Sequence, residues 1–334
     1  MKGQAVDRRG KLEESFKMHR FLADWRDLSI WMNEMKTLIS ADDLAKDKAG
    51  AEAQVELHKE YTAEINSRAD SLDTCMQEGQ ALLSVGHPCN GDIAAKLSTL
   101  ERERASLMQL CEERREQLEQ CMGLQYFYRD AEQSESWIGK QEALLETKDV
   151  GGSLNSVEAL IRKHEDFEKS LLAQEEKMRQ LDEFAANLIE SNHYAAAQVH
   201  EIQEGLQNRR NALKEKAQNR RQRLEDYHRY QMFDRDADEM QSWISRKLEN
   251  ALDESYKDST NLQTNMQKHQ NFEAEIQANQ SRVEDIKKTG QDLLNADHCN
   301  SPEIKVKIEQ LDETWSHLVN VMGDKKKNLD QASR

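Results

Sequence analysis

The chain has 334 residues, enough for two or three domains that each bury a core. Charged residues make up 33% of the sequence and aromatic residues 6%, with only 2 prolines and 13 glycines, so little of the chain can form turns or sheet. This composition is typical of long, solvent-exposed helices. The formal net charge of −16 makes nucleic acid or an anionic lipid surface an unfavourable partner.

The cysteines form no recognisable disulfide or zinc pattern, because their number is odd, no C-x-x-C pair occurs and no histidine lies at zinc-finger spacing. They indicate reduced thiols in a cytosolic protein: Cys75, Cys89, Cys111, Cys121 and Cys299. No stretch approaches 18 uninterrupted apolar residues, and the first ten residues, MKGQAVDRRG, lack the apolar core of a signal peptide. We therefore expect no direct membrane insertion.

The dominant feature is a repeat with a period of about 106 residues. Three columns recur at intervals of 106 and 106, and they are Phe21, Phe127 and Phe233; Asp24, Asp130 and Asp236; and Trp31, Trp137 and Trp243. Three more recur at 106 and 105, and they are His58, His164 and His269; Leu100, Leu206 and Leu311; and Leu107, Leu213 and Leu318. One residue has therefore been lost between Trp243 and His269.

The first helix of each unit is predicted at about residues 14–40, 120–147 and 226–252. Steps of three and four residues separate the apolar positions of the first copy, as in a helix that buries one face. These positions are Phe21, Trp25, Leu28, Met32, Met35 and Ile39. A polar turn follows, and Ser153 and either Asp258 or Ser259 are the candidate N-caps of the second helix.

The second helix of each unit is predicted to run to about residues 85, 190 and 295. In the turn that follows, Asn90 and Ser301 are candidate N-caps of the third helix, with Pro302 at its first position. A further histidine column lies in this turn, at His87, His193 and His298, and a local hydrogen bond is the expected role of these side chains.

Nothing in the sequence ends the third helix. Residues 105–138 and 210–245 contain no proline, so the third helix of one unit is predicted to continue into the first helix of the next, which makes an elongated rod. Basic pairs recur at these junctions, where we expect helix-surface salt bridges: Arg8-Arg9, Arg114-Arg115, Arg220-Arg221 and Lys325-Lys326. Because four junctions flank three units, the chain is expected to be a segment of a longer array.

The first helices share a pattern of Phe, Asp three residues later and Trp seven residues after that, in FLADWRDLSIWMNE, FYRDAEQSESWIGK and FDRDADEMQSWISR. Over its whole length the chain resembles the spectrin repeat. Strings such as LISADDLAKD and NSVEALIRKHEDFEK look most like the middle repeats of a non-erythroid α-spectrin chain. One departure concerns a second tryptophan that the family often has in the third helix: Trp315 is present, but Arg104 and Arg210 stand at its counterparts.

This resemblance implies an all-α fold of three tandem three-helix bundles joined by continuous helices. The predicted boundaries are 1–12 for the end of a preceding junction helix and 13–118, 119–224 and 225–334 for the repeats. It also implies a rod of the cytoskeleton at the cell cortex, in the cytoplasm. The expected partner is a β-spectrin-like chain in lateral, antiparallel pairing, and the intact molecule would reach actin and other membrane-skeleton proteins.

No residue is predicted to be catalytic, to bind a cofactor or to hold a metal, because no phosphate loop, nucleophile elbow or H-E-x-x-H motif is present. The recurring aromatic and histidine residues are predicted to be structural core: Phe21, Trp31, His58, Phe127, Trp137, His164, Phe233, Trp243, His269 and Trp315. Three histidines in separate bundles are too far apart to share a metal ion, and the sequence gives no support for pH sensing by them.

Three alternatives remain open from the sequence. One repeat face could be a docking site for a membrane or signalling protein, which an exposed apolar patch would indicate. The array could belong to an exchange factor for Rho-type GTPases, with its catalytic domain elsewhere. The heptad-like stripes could also form a long parallel coiled-coil dimer, although the regular polar turns disfavour it.

Overall fold

A computed structural model describes residues 2–41, 43–253 and 262–332. All the helices and strands found in these residues are α-helices, joined by short turns, and the all-α prediction is confirmed. The helices are α1 (Lys2–Ser40), α2 (Lys48–Ser67), α3 (Ala69–Ser84), α4 (Asn90–Leu145), α5 (Leu154–Glu190), α6 (Ala196–Leu252), α7 (Leu262–Asn295) and α8 (Ser301–Ala332). The candidate caps Asp258 and Ser259 lie outside the described residues.

Helices α4 and α6 each serve two repeats. α4 has 56 residues and α6 has 57, and each is both the third helix of one repeat and the first helix of the next. The prediction of continuous helices through both internal junctions is therefore confirmed. Such helices persist because residues 105–138 and 210–245 contain no proline.

The second helix of the first repeat is interrupted, which the sequence did not predict. Arg68 separates α2 from α3, with φ −97° and ψ 1°. Its backbone N–H is shared between the carbonyls of Glu64 and Ile65, at 3.3 and 3.2 Å. Because the Leu72 amide still bonds to the Arg68 carbonyl at 3.1 Å, the interruption is a one-residue kink rather than a change of direction.

The helix starts agree only partly with prediction. Ser153 caps α5 as expected, since its Oγ accepts the Ser156 amide at 3.3 Å. The N-caps predicted at Asn90 and Ser301 are wrong by one residue, because the first intrahelical bonds run from Ile93 to the Cys89 carbonyl and from Ile304 to the Asn300 carbonyl. Pro302 is accordingly the second helical residue, and its missing N–H still falls in the first turn, where helix amides have no intrahelical acceptor.

The structure divides into two compact units. The first comprises Met1–Trp137 and Lys177–Asn208, and the second comprises Ile138–Glu176 and Arg209–Arg334. The first unit has a core around Phe21, Met32 and Leu100, all fully buried. The core of the second surrounds Phe233, Met240 and Ile304. Each core is built from the apolar stripes of helices that pack side by side.

Candidate functional site

The recurring phenylalanine is the most buried aromatic position of the repeat. Phe21, Phe127 and Phe233 have at most 2% of their surface exposed. Small residues on the second helix face this ring. A Cβ placed on Gly79 would lie 2.7 Å from the Phe21 ring, and one on Gly290 would lie 2.7 Å from the Phe233 ring.

The residue in the same register of the second repeat is Ala185, which is fully buried. This column of small residues was missed from the sequence. A repeat interval of 106 and 105 residues between Gly79, Ala185 and Gly290 was the signal that could have revealed it.

The tryptophan column lies nearer the bundle edge. Trp31 is buried, donates from Nε1 to Glu64 Oε1 at 2.8 Å, and carries the Arg68 guanidinium 5.0 Å from its ring centre. Trp137 and Trp243 are half-buried. Trp315 is half-buried as well, and it stacks on Trp243 with ring centres 6.5 Å apart.

The positions in register with Trp315 hold half-buried arginines. Arg104 donates to Asp73 Oδ1 at 2.6 Å. Arg210 takes the corresponding place in the second repeat. The first and second repeats therefore place a cation where the third repeat places an indole that stacks.

The histidine column of the second helices is buried in every repeat. His58, His164 and His269 are each 5–6% exposed, and burial lowers the pKa of each imidazole below its usual range. Their Nε2 atoms meet different neighbours. His58 Nε2 lies 3.6 Å from Cys111 Sγ, His164 Nε2 lies 3.0 Å from the Ala217 carbonyl oxygen, and His269 Nε2 is buried with no hydrogen-bond partner.

The histidine column of the turns makes the local hydrogen bonds that the sequence predicted. In each turn Nδ1 accepts a backbone N–H from the N-cap residue of the third helix: Cys89 for His87 at 3.2 Å, Ala195 for His193 at 3.0 Å and Asn300 for His298 at 3.0 Å. His193 Nε2 also lies 3.0 Å from the Gln120 carbonyl. These bonds explain why the helix begins at the residue after Cys89 or Asn300.

The junction basic pairs divide their roles between the two residues. The second residue of each pair forms surface salt bridges, as predicted: Arg115 with Glu112 and Glu119, Arg221 with Glu168 and Glu225, and Lys326 with Glu273. At two junctions the first residue of the pair binds backbone carbonyls, which the sequence did not predict.

Arg220 is 9% exposed and donates to the Thr147 carbonyl at 2.6 Å and to the Asp149 carbonyl at 3.1 Å, in the turn after α4. Lys325 lies within 3.2–3.5 Å of the carbonyls of Asn250, Ala251 and Asp253, at the end of α6. A cation at these positions satisfies the carbonyls that a helix end leaves without partners and complements the negative end of the helix dipole.

The first junction is also held by contacts from α4 to the turn between α1 and α2 and to the start of α2. Cys121 Sγ and Gln125 Nε2 both donate to the Ala45 carbonyl, at 3.3 and 3.4 Å. The Tyr126 hydroxyl donates to Glu52 Oε1 at 2.7 Å. Sequence reasoning treated Cys121 only as a reduced thiol and missed this contact.

The histidine, cysteine and acidic side chains of the described residues are the groups that could bind a metal ion or react. In residues 2–41, 43–253 and 262–332 no group of three or more His, Cys, Asp or Glu side chains is placed to hold a metal ion. The described cysteines are free, and burial raises the pKa of the Cys75 thiol to about 11, which keeps it in the unreactive thiol form. No described helix is both long and apolar enough to cross a bilayer.

The geometry defines the class of protein as a tandem array of three-helix bundles whose recurring residues serve the core, the turns and the junctions. The sequence model of the spectrin repeat matches the chain three times, at residues 16–120, 123–226 and 228–331. The chain belongs to the spectrin repeat family.

Similar proteins include both spectrin chain types. The chain is 38% identical over 330 residues to the mouse protein "Spectrin alpha chain, erythrocytic 1", covering 99% of this chain and 14% of that protein. It is 30% identical over 332 residues to human "Spectrin beta chain, non-erythrocytic 5", covering 99% and 9%. It is 28% identical over 307 residues to the Drosophila melanogaster "Spectrin beta chain", covering 91% and 13%. The chain thus spans only a small part of each relative.

Proposed function

We propose that this chain is a structural rod segment of the spectrin-based cytoskeleton beneath the plasma membrane, in the cytoplasm, and that it has no enzymatic activity. The observation that carries the proposal is the continuity of α4 and α6, each of which supplies the third helix of one repeat and the first helix of the next. Membership of the spectrin repeat family supports a structural rather than a catalytic role.

Side-chain contacts at the junctions support a load-bearing role. At the first junction, Gln125 binds the Ala45 carbonyl in the turn between α1 and α2, and Tyr126 binds Glu52 near the start of α2. At the second, His228 Nε2 lies 3.6 Å from Glu158 Oε1, and Tyr230 stacks on His298 with ring centres 5.3 Å apart. Such contacts resist bending of a helix that would otherwise be exposed on all sides.

We further propose that the ten recurring aromatic and histidine residues act as the structural core of the three bundles. Their burial or partial burial supports this role. The repeat boundaries 13–118, 119–224 and 225–334 also remain proposals, as does origin from the middle of a non-erythroid α-type chain.

The proposed partner is a β-spectrin-like chain that pairs laterally and antiparallel, with actin and other membrane-skeleton proteins reached through the intact molecule. The names of the relatives, one α chain and two β chains, support this pairing. Sedimentation of the chain mixed with the corresponding β-type segment is expected to give a one-to-one complex, and the absence of any complex would contradict the pairing.

Small-angle X-ray scattering tests the rod. Three repeats of about 50 Å each, from roughly 33 residues per helix at 1.5 Å rise, give a length of about 150 Å and a radius of gyration of about 43 Å. A compact globular protein with the same number of residues would have a radius of gyration of about 20 Å. A monomer with the larger radius supports the proposal, and a compact particle or a much longer dimer contradicts it.

A paired substitution sharpens this measurement. Glu119→Pro places a proline at an exposed position of α4 at the first junction, where it removes one helical hydrogen bond and kinks the helix. Glu119→Ala at the same position keeps the helix. We expect the proline variant alone to show a smaller radius of gyration. Equal radii for the two variants would show that α4 does not set the length.

A docking role is the second candidate, and one observation favours it. A groove of about 740 Å³ lies between the start of α1 and the end of α3. Leu12, Phe16 and Val85 line it, and each is more than 60% exposed. The counterparts of Leu12 at Leu118 and Leu224 are buried. Replacing Leu12 and Phe16 by serine would remove a partner that binds here and would leave the radius of gyration unchanged.

A further inference from the structure

The buried histidine and the junction basic pair of each repeat lie together. His58, His164 and His269 precede the first residue of their basic pairs, Arg114, Arg220 and Lys325, by 56 residues in every repeat. The sequence shows them as two unrelated columns. In the structure, both cations of each pair act electrostatically against a positive charge on the histidine.

In the second repeat, a carboxylate lies close to the buried histidine and opposes the positive charge of the basic pair. His164 Nε2 donates to the Ala217 carbonyl of α6 at 3.0 Å, and the ring stacks on Phe167. Arg220 and Arg221 of α6 face the ring, and Glu168 of α5 lies 3.5 Å from Nε2. Because Arg221 also binds Glu168, that carboxylate is shared between the histidine and the arginine.

The third repeat lacks a close partner for the ring. His269 is 6% exposed, and its Nε2 atom is buried without a hydrogen bond to any of the described residues. Lys325 and Lys326 of α8 face it, opposed by Glu273 of α7 and Asp330 of α8. Lys326 binds Glu273 at 3.0 Å, so this carboxylate too is shared between a cation and the histidine.

In the first repeat, the buried histidine has a sulfur atom as a polar neighbour of its ring. The charged groups of α4 that act on His58 are Arg114, Arg115 and Glu112, and Cys111 Sγ lies 3.6 Å from Nε2. Lys59 of α2 and Glu119 of α4 line the cavity beside the ring. Glu112 is bound to Arg115, so the carboxylate is again shared.

The first cation of the pair has little freedom to move away from a charged ring. Arg220 and Lys325 are tied to the carbonyls at the end of the preceding long helix. A proton on His164 or His269 would therefore add positive charge in a desolvated place beside a cation that is already fixed.

We propose that the buried histidine and the basic pair of each repeat form a proton-sensitive element, in which proton uptake by the histidine destabilises the end of the bundle that adjoins the next junction. The element would soften the rod in mildly acidic conditions without any ligand. It acts on the same structure as the proposed rod function but does not depend on the identity of the partner chain.

The direction in which stability changes with pH follows from the linkage between protonation and folding. Burial holds each histidine neutral in the folded bundle, whereas an unfolded histidine accepts a proton near pH 6.5. The stability contributed by the neutral ring is complete above about pH 6.5 and is lost as the pH falls below it. Each such histidine raises the unfolding equilibrium constant by up to about tenfold per pH unit in that window.

Urea unfolding of the whole chain between pH 7.5 and 5.5 tests the proposal. His269→Leu removes the titrating group, and His317→Leu, an exposed histidine of the same bundle, is the matched control. We expect the acid-induced rise in the unfolding constant to be up to tenfold smaller per pH unit in H269L than in the wild type, with H317L unchanged. Identical pH dependence in all three proteins would overturn the proposal.

A second measurement needs no core substitution. NMR titration of the wild-type chain should show His269 titrating below its ordinary pKa, and Lys326→Gln should raise that pKa by removing a facing cation. A His269 that titrates near pH 6.5 and does not respond to K326Q would overturn the proposal even if H269L did not fold.

Discussion

The second and third bundles have the same recurring phenylalanine, tryptophan and histidine, but the residues that surround these side chains differ. The small residue of the second helix is Ala185 in the second bundle and Gly290, beside the Phe233 ring, in the third. Ala217 lies opposite His164, whereas Met322 holds that register in the third bundle. The helix-end carbonyls are bound by arginine in one and by lysine in the other. One pattern is thus compatible with several local packings, and each difference can be tested by substitution.

The largest effect is expected where a buried cation binds carbonyls. Arg220→Met removes two charge-assisted hydrogen bonds and leaves the Thr147 and Asp149 carbonyls without them, at a cost of about 3 kcal/mol in the free energy of unfolding. The neighbouring Arg221→Met breaks only surface salt bridges and should cost under about 1 kcal/mol. Urea unfolding at pH 7.5 compares them, and equal costs would refute the division of roles within the pair.

A smaller effect is expected where the glycine meets the phenylalanine ring. Gly290→Ala would place its Cβ 2.7 Å from both the Phe233 ring and Ile308, and overpacking should exceed the gain in helix propensity, for a net loss of about 1–2 kcal/mol. Gly323→Ala in α8 meets no atom within 4 Å and should stabilise by about 0.5–1 kcal/mol. Thermal unfolding should therefore shift in opposite directions. A stabilising G290A would show that the ring moves aside at little cost.

The two buried histidines should respond differently to the same change. His164→Leu loses the bond to the Ala217 carbonyl and should cost about 1 kcal/mol at pH 7.5. His269→Leu removes a buried Nε2 that has no partner and should be close to neutral or stabilising. Urea unfolding of both variants at pH 7.5 provides the comparison. If H269L proved the more costly of the two, the missing hydrogen bond would not be what distinguishes the bundles.

The smallest effect concerns the tryptophan pair of the third bundle. Trp243 and Trp315 stack with ring centres 6.5 Å apart and planes 24° apart, and a double-mutant cycle with phenylalanine or alanine should give a coupling of about 0.5–1.5 kcal/mol. A coupling near zero for the tryptophans would mean that their stacking adds nothing to burial.

Much of the fold was accessible from the sequence because the repeat gives each observation three times. The apolar stripe of α1 and the absence of proline at the junctions predicted the helices and their continuity. The kink at Arg68 was not predictable, since it depends on how the backbone N–H is shared between Glu64 and Ile65 and on the contact of Arg68 with Trp31.

The missed features of the candidate site depend on contacts between distant residues. Arg220 and Arg221 look alike in the sequence, and only the packing of α6 against the turn after α4 shows that one binds carbonyls while the other binds carboxylates. The N-caps were misplaced because His298 accepts the Asn300 amide, a bond that side-chain cap preferences do not include. Sequence periodicity identifies which residues matter, and packing decides what each one does.

The length of the two shared helices has a consequence for how such a chain can change. An α-helix advances 3.6 residues per turn, so one residue inserted within α4 or α6 would rotate every later side chain of that helix by about 100°. The apolar stripe of the following repeat would then turn away from its core. The single residue lost from the third repeat lies between Trp243 and His269, in the segment where α6 ends and α7 begins. The interval of 106 residues is kept up to Trp243, so both shared helices keep the angular phase of their apolar stripes, and the deletion falls after that point.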